Sequence, residues 1–164
     1  MPATVRDAPR SRMCSTSAVT PGESTYTLEL PYRRSVGPVV GAFLTALRDG
    51  RVLGSRTPDG RVIVPPLEYD PETGDALDEL VQVGTSGTVR HWCWVAEPLR
   101  RHPLDRPFAW ALVQLDGADT ALLHALDAGD PDRVSAGMRV RVRWREEREG
   151  HIADIACFEP EGRP

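Results

Sequence analysis

Pro107 to Ala128 reads PFAWALVQLDGADTALLHALDA, the longest nearly unbroken run of strand-like apolar sequence in the chain. Phe108 to Leu115 and Thr120 to Leu126 flank Asp116-Gly117-Ala118-Asp119, and two apolar runs separated by small, turn-prone residues form a β-hairpin. Leu, Ala and His dilute the β-branched content of the second arm, so propensity alone also allows a helix there. The flanking segments decide for the hairpin. Leu80 to Val83 and Thr88 to Val95 precede it as strand-like runs joined by Gly84-Thr85-Ser86-Gly87. In the second run, alternation puts Val89, His91, Cys93 and Val95 on one face and Thr88, Arg90, Trp92 and Trp94 on the other, as in a strand covered on both sides.

Downstream, Asp130 can cap a helical turn with Pro131 at its first position. Arg139 to Arg145 then gives the clearest alternation in the chain. Val140, Val142 and Trp144 face one way, and Arg139, Arg141, Arg143 and Arg145 the other. Ile152 to Phe158 reads as the closing strand. Six or seven short strands with Gly- and Asp-rich turns make an all-β barrel, and a five-stranded OB-type barrel uses about the number available from Leu80 onward. Glu97 to Arg106, with two prolines and five charged residues, is expected to be a surface loop.

Upstream, Val52 to Ser55 and Arg61 to Val64 flank Thr57-Pro58-Asp59-Gly60, a second hairpin. Tyr69 to Asp75 forms another turn-rich knuckle. Val39, Val40, Phe43, Leu44 and Leu47 recur at helical spacing behind Ser35 or Gly37 as cap and Pro38 in the first turn, with Gly50 just past the end. Tyr26 to Leu30 suits a short edge strand. The expected divisions are a disordered tail over 1–24, strand and helix over 25–50, a ribbon-like hairpin module over 51–76, the barrel over 77–160 and a tail over 161–164.

The 164 residues suit one domain with a small appendage. All twenty basic residues are arginine, yet the net charge is −4, which argues against a nucleic-acid binder. No apolar run approaches the roughly 20 residues that cross a bilayer. With no signal-peptide core near the start, a cytoplasmic address is expected. Cys14, Cys93 and Cys157 are odd in number and far apart, which suits reduced thiols.

The search for chemistry yields little. No Cys-x-x-Cys, nucleophile elbow, metalloprotease helix or phosphate loop is present. His91 with Cys93 is a lone pair on a strand, and Asp70, Glu72 and Asp75 belong to a turn that lacks the calcium-loop pattern. His124 is expected to be a satisfied core or interface histidine. Arg100, Arg101 and His102 suit contact with an anionic ligand. The arginine ladder is expected to pair with carboxylates or face a partner; the other readings are phosphates tracked beside Trp92, Trp94 or Trp110 as stacking platforms, or an anionic cofactor tail.

The order of helix, Gly50-Arg51-Val52-Leu53-Gly54-Ser55-Arg56, turn, Gly60 to Pro66, knuckle and barrel resembles the zinc-ribbon and OB-fold proteins of acyl-CoA metabolism, the family called domain of unknown function thirty-five. The resemblance covers roughly residues 36–160. Where that family has Cys-x-x-Cys-Gly on each knuckle, this chain has Thr57 to Gly60 and Asp70 to Gly74, so a degenerate, metal-free ribbon is expected. Val62 to Asp70, His102 to Ala128 and Asp154 to Pro160 are similar to the branch that partners thiolase-like lipid-transfer-protein aldolases of steroid side-chain degradation. No hydratase domain precedes them here, so a stand-alone subunit is expected.

What the resemblance implies is a mainly β, OB-fold accessory subunit without catalytic residues or a bound cofactor. It would form a hetero-oligomer, two plus two, with an aldolase that cleaves β-hydroxyacyl-CoA thioesters by retro-aldol chemistry. The coenzyme A thioester would be substrate of the complex, with Arg100, Arg101 and His102 as possible coenzyme A contacts. The expected partner surface comprises Tyr69, Trp92, Trp94, Phe108, Trp110 and Arg139, Arg141, Arg143 and Arg145. The other functional reading is a module that binds acyl-CoA or single-stranded nucleic acid by itself.

Overall fold

In the computed structural model residues 35–162 are described. The expected tail over 1–24, the strand from Tyr26 to Leu30 and Cys14 lie outside them. The helix α1 runs Pro38–Arg48. Gly37 caps it at φ 79°, a left-handed conformation that glycine adopts without a Cβ clash, and Pro38 follows with φ already suited to the first turn. Phe43, Ala46 and Leu47 form its buried stripe.

The strands β1 (Val52–Arg56), β2 (Val62–Ile63) and β3 (Leu80–Val83) form one antiparallel sheet in the order β2-β1-β3. The strands β4 (Ser86–Val95), β5 (Phe108–Leu115), β6 (Leu122–Leu126), β7 (Arg139–Trp144) and β8 (Ile155–Pro160) close a barrel in the order β4-β5-β6-β8-β7. The hairpin reading of 107–128 is thus correct, with Ala109↔Leu126 and Val113↔Leu122 as its outer register pairs. The barrel closes where β7 returns to β4, and β6 meets β8 in parallel.

Three readings are corrected by topology. Leu80–Val83 is not a barrel strand; it adds to β1, with Val52 opposite Val83. A register shift between Val89 and His91 breaks the alternation of β4. Val89 opposes Val113 inside the barrel, whereas His91 opposes Leu112 on the outer face. A bulge adds one residue to one strand and so inverts every side chain beyond it. His91, Trp92 and Cys93 are consequently exposed instead of covered. Finally, Ile152–Asp154 is a 3₁₀ turn and only Ile155–Pro160 is strand. The Asp154 carboxylate explains that turn by accepting from the N–H groups of Glu149, Gly150 and His151 at 3.1, 2.8 and 3.1 Å.

The early hairpin is not a separate module either. Phe43, Leu47, Val52, Val62 and Val64 share one core with Val89, Val113, Leu126, Val140 and Phe158 of the barrel. The β5–β6 turn ties them together. The Val62 N–H donates to Asp119 Oδ2 and the Val64 N–H to Thr120 Oγ1, both at 2.7 Å, and the Asp119 N–H returns to the Val62 carbonyl at 2.8 Å. Arg139 grips the same turn through both Asp116 oxygens, at 2.6 and 2.7 Å. The two ribbon knuckles are bridged by Arg61, which reaches Asp59 at 2.7 Å and Glu72 at 2.9 Å.

Candidate partner and ligand surface

The outward residues of β5 are Phe108, Trp110, Leu112 and Gln114, since Ala109, Ala111, Val113 and Leu115 fill the barrel. A β-barrel in water normally covers such residues or makes them polar. Here one half is covered. The 96–107 loop folds over Phe108, Ala125 and Cys157, with Leu104, Val95 and Trp110 packed alongside. Arg106 pins the loop to Asp127 at 2.5 Å, and Arg143 reaches the same oxygen at 3.2 Å. His102 stands edge-on to Phe108 and Trp110, and its Nδ1 accepts from the Leu99 N–H at 3.2 Å. Burial pushes the Cys157 thiol up to about 11, so it is an inert packing group.

The other half is open. Leu112 and Leu123 lie opposite one another on the outer face of β5 and β6, and Leu123 is 57% exposed. A hollow of about 250 Å³ between His91, Trp92, Cys93, Trp110, Leu112 and Leu123 adjoins a cleft of about 560 Å³. Trp110 and Leu123 line both. The cleft continues to Ile152 and Ile155, with Arg101, His102, His124 and Arg145 among its lining residues. Trp92 and Ile152 are each 37% exposed.

Against this geometry, the expected site residues divide. Trp92 and Trp110 belong to the open face. Phe108 does not: it is fully buried beneath the loop, because Glu97 to Arg106 folds back over the barrel instead of standing in solvent. Trp94 is half-buried against the main core. Tyr69 is exposed on the ribbon knuckle, where it bridges to Ala76. Arg101 and His102 reach the cleft, whereas Arg100 lines a different hollow with Asp105.

The arginine ladder pairs with carboxylates as expected. Arg139 binds Asp116 and Glu161, Arg141 binds Glu159, and Arg143 binds Asp127 and Glu159. Such neutralised cations leave little charge to track phosphates. Arg145 departs from the ladder: it lies just past the end of β7, in no ion pair among the described residues, and borders the cleft.

His124 is buried as expected, but its Nδ1 has no hydrogen-bond partner, so it is not satisfied. Burial drives its pKa below the usual 6.5, against the opposing pull of backbone groups at Ala125 and Ile152. Leu112, Leu123 and Ile152 escaped the sequence reading. The outward parity of Leu112 with Trp110 was the available signal for the first; Ile152 was assigned to a strand it does not join.

Among the described residues no three or more His, Cys, Asp or Glu side chains gather as metal ligands would. No helix among them is long and apolar enough to cross a membrane. Fold and surface define an OB-fold barrel with a fused three-stranded sheet and one open apolar face.

Comparison with known proteins supports the OB fold. The family model described as ChsH2, C-terminal OB-fold domain, matches residues 80–145. Over 99 residues the chain is 28% identical to a DUF35 domain-containing scaffold protein of Pyrococcus furiosus, covering 60% of this chain and 72% of that protein. In fold it is similar to a chain of the Ltp2-ChsH2(DUF35) aldolase, with TM-score 0.58 and 23% identity over 78% of this chain and 98% of that one. A DUF35 protein of unknown function from Sulfolobus solfataricus gives TM-score 0.58 at 17% identity, over 77% of this chain and 85% of that one.

Proposed function

We propose that the chain is a non-catalytic accessory subunit that docks onto a thiolase-fold aldolase through the open face of β4, β5 and β6. The observation that carries this reading is the row of Trp92, Trp110, Leu112, Leu123 and Ile152, exposed or half-exposed among the described residues, beside a strand β7 whose arginines are paired. Aromatic and aliphatic residues at the centre, with arginines at the rim, are the composition of a stable heteromeric interface. The family match over 80–145 supports the reading, because those residues include most of this face.

In this reading the aldolase supplies the reacting groups and most of the coenzyme A site, and cleaves a β-hydroxyacyl-CoA thioester by retro-aldol chemistry. A steroid side chain is the proposed acyl group, and two copies of each subunit the proposed assembly. The chain would act by covering and ordering its partner. Co-expression with a thiolase-like aldolase tests it: the two should elute as one species, and Leu123→Asp should release the chain folded. Separate elution, with the aldolase fully active alone, would remove the proposal.

A further inference from the structure

The 560 Å³ cleft shares Trp110, Leu123 and Ile152 with the proposed docking face, and it adds polar groups that apolar docking does not use. Its walls are Trp110, Leu123, Ile152 and Ile155, and Arg101 and Arg145 border it. Neither arginine is in an ion pair among the described residues, whereas Arg139, Arg141 and Arg143 all are. Glu146, Glu147 and Glu149 line a neighbouring hollow that Arg145 also borders, yet none pairs with it. The Arg145 backbone is fixed by its N–H, which donates to the Asp154 carbonyl at 2.9 Å. His124, 7% exposed, also lines the cleft, and its Nδ1 lacks a partner. A buried polar atom of that kind ordinarily finds a water or a ligand group.

Apolar walls with a few polar groups, in a space of roughly 300–1,000 Å³, are the marks of a small-molecule site. Guanidinium groups favour carboxylates, which they engage through paired N–H donors. We propose that the cleft binds an amphipathic carboxylic acid, its apolar body against Trp110, Leu123 and Ile152 and its carboxylate at Arg101 and Arg145. Three of these residues also belong to the proposed docking face, so a titration of the isolated chain separates ligand binding from docking: failure of one leaves the other standing.

The test is a titration of the isotope-labelled chain alone with octanoate, octanol and inorganic phosphate, followed by NMR. Octanoate should shift the Trp110 indole, Leu123, Ile152 and His124 signals saturably. Octanol, with the same body and no charge, should bind at least about tenfold more weakly, the loss expected when a charge-assisted contact is removed. Phosphate should leave these signals unmoved. Arg101 and Arg145 are both exposed, so the double variant Arg101→Gln/Arg145→Gln should fold, lose the preference for octanoate and keep its octanol affinity. Equal affinity for octanoate and octanol would overturn the proposal, as would phosphate competing equally or no saturable shift at all.

Discussion

Phe108 and Leu123 show how burial, not hydrophobicity, separates core from surface in this barrel. Both are large and apolar and both face outward, yet the loop covers the first and leaves the second 57% exposed. Truncating a buried phenylalanine removes transfer free energy and leaves a cavity, so Phe108→Ala should cost about 3–5 kcal/mol. Leu123→Ala should stay within about 0.5 kcal/mol, as for an ordinary surface change. Urea denaturation of the two variants measures both, and equal losses would contradict the division. The sequence made Phe108 and Trp110 equivalent by parity. It could not separate them, because the covering loop is a tertiary feature with no periodicity of its own.

Two buried residues contribute to the pH dependence in separate windows. Burial lowers the His124 pKa below 6.5, so between that value and the folded one the unfolded chain binds more protons, and stability falls as pH drops below 6.5. Asp127 behaves differently. Burial would raise its pKa, but the hydrogen bonds and charges of Arg106 and Arg143 outweigh that and hold it below 3.8. Its contribution is therefore present above 3.8 and lost as pH falls through the depressed value. Denaturation midpoints should show two declines in these windows, the upper absent in His124→Gln and the lower reduced but not abolished in Asp127→Asn, because Asp116 and Asp154 are also held below 3.8. A midpoint flat between neutrality and 3.8 would contradict the His124 assignment.

Elements with strong periodic or capping signals were legible. The helix α1 begins behind Gly37-Pro38 and ends before Gly50, and the β5–β6 hairpin turns at Asp116 to Asp119, as their residue types require. The failure in β4 occurs where a single residue changes parity, at the bulge after Val89, which alternation cannot reveal. Gly87 has a packing reason of its own. A Cβ there would press on the Gln114 carbonyl and lie 2.9 Å from Leu115 Cα, backbone that cannot move aside. Gly87→Ala should destabilise by about 1–3 kcal/mol, the usual range for overpacking, and a neutral thermal melt would contradict that close β4–β5 approach. At the ribbon, Arg61 bridges Asp59 and Glu72 across the two knuckles. A ribbon held by such contacts and by the shared core should melt at the same temperature with and without a chelator; a fall on chelation would show that a metal holds it.

At the scale of the molecule, the hairpin turn that organises the sequence also joins the parts. Asp119 and Thr120 hold the ribbon strand, and Asp116 holds β7 through Arg139. The result is one core carrying helix, ribbon and barrel, with its charged strand neutralised and its apolar β4–β5–β6 face open. A face of this kind beside a strand whose arginines are paired is the central reason to assign it to a partner. Sequence pattern reached the barrel and the ladder but not the open face, since which outward residues remain uncovered depends on where the 96–107 loop lies. The most direct measurement is the mass of the species eluted after co-expression with a thiolase-like aldolase, for the native chain and for Leu123→Asp. The account predicts a single heteromeric species with the native chain, and two separate, folded proteins with the variant. Co-elution undiminished by Leu123→Asp, or no co-elution of the native chain, would contradict it.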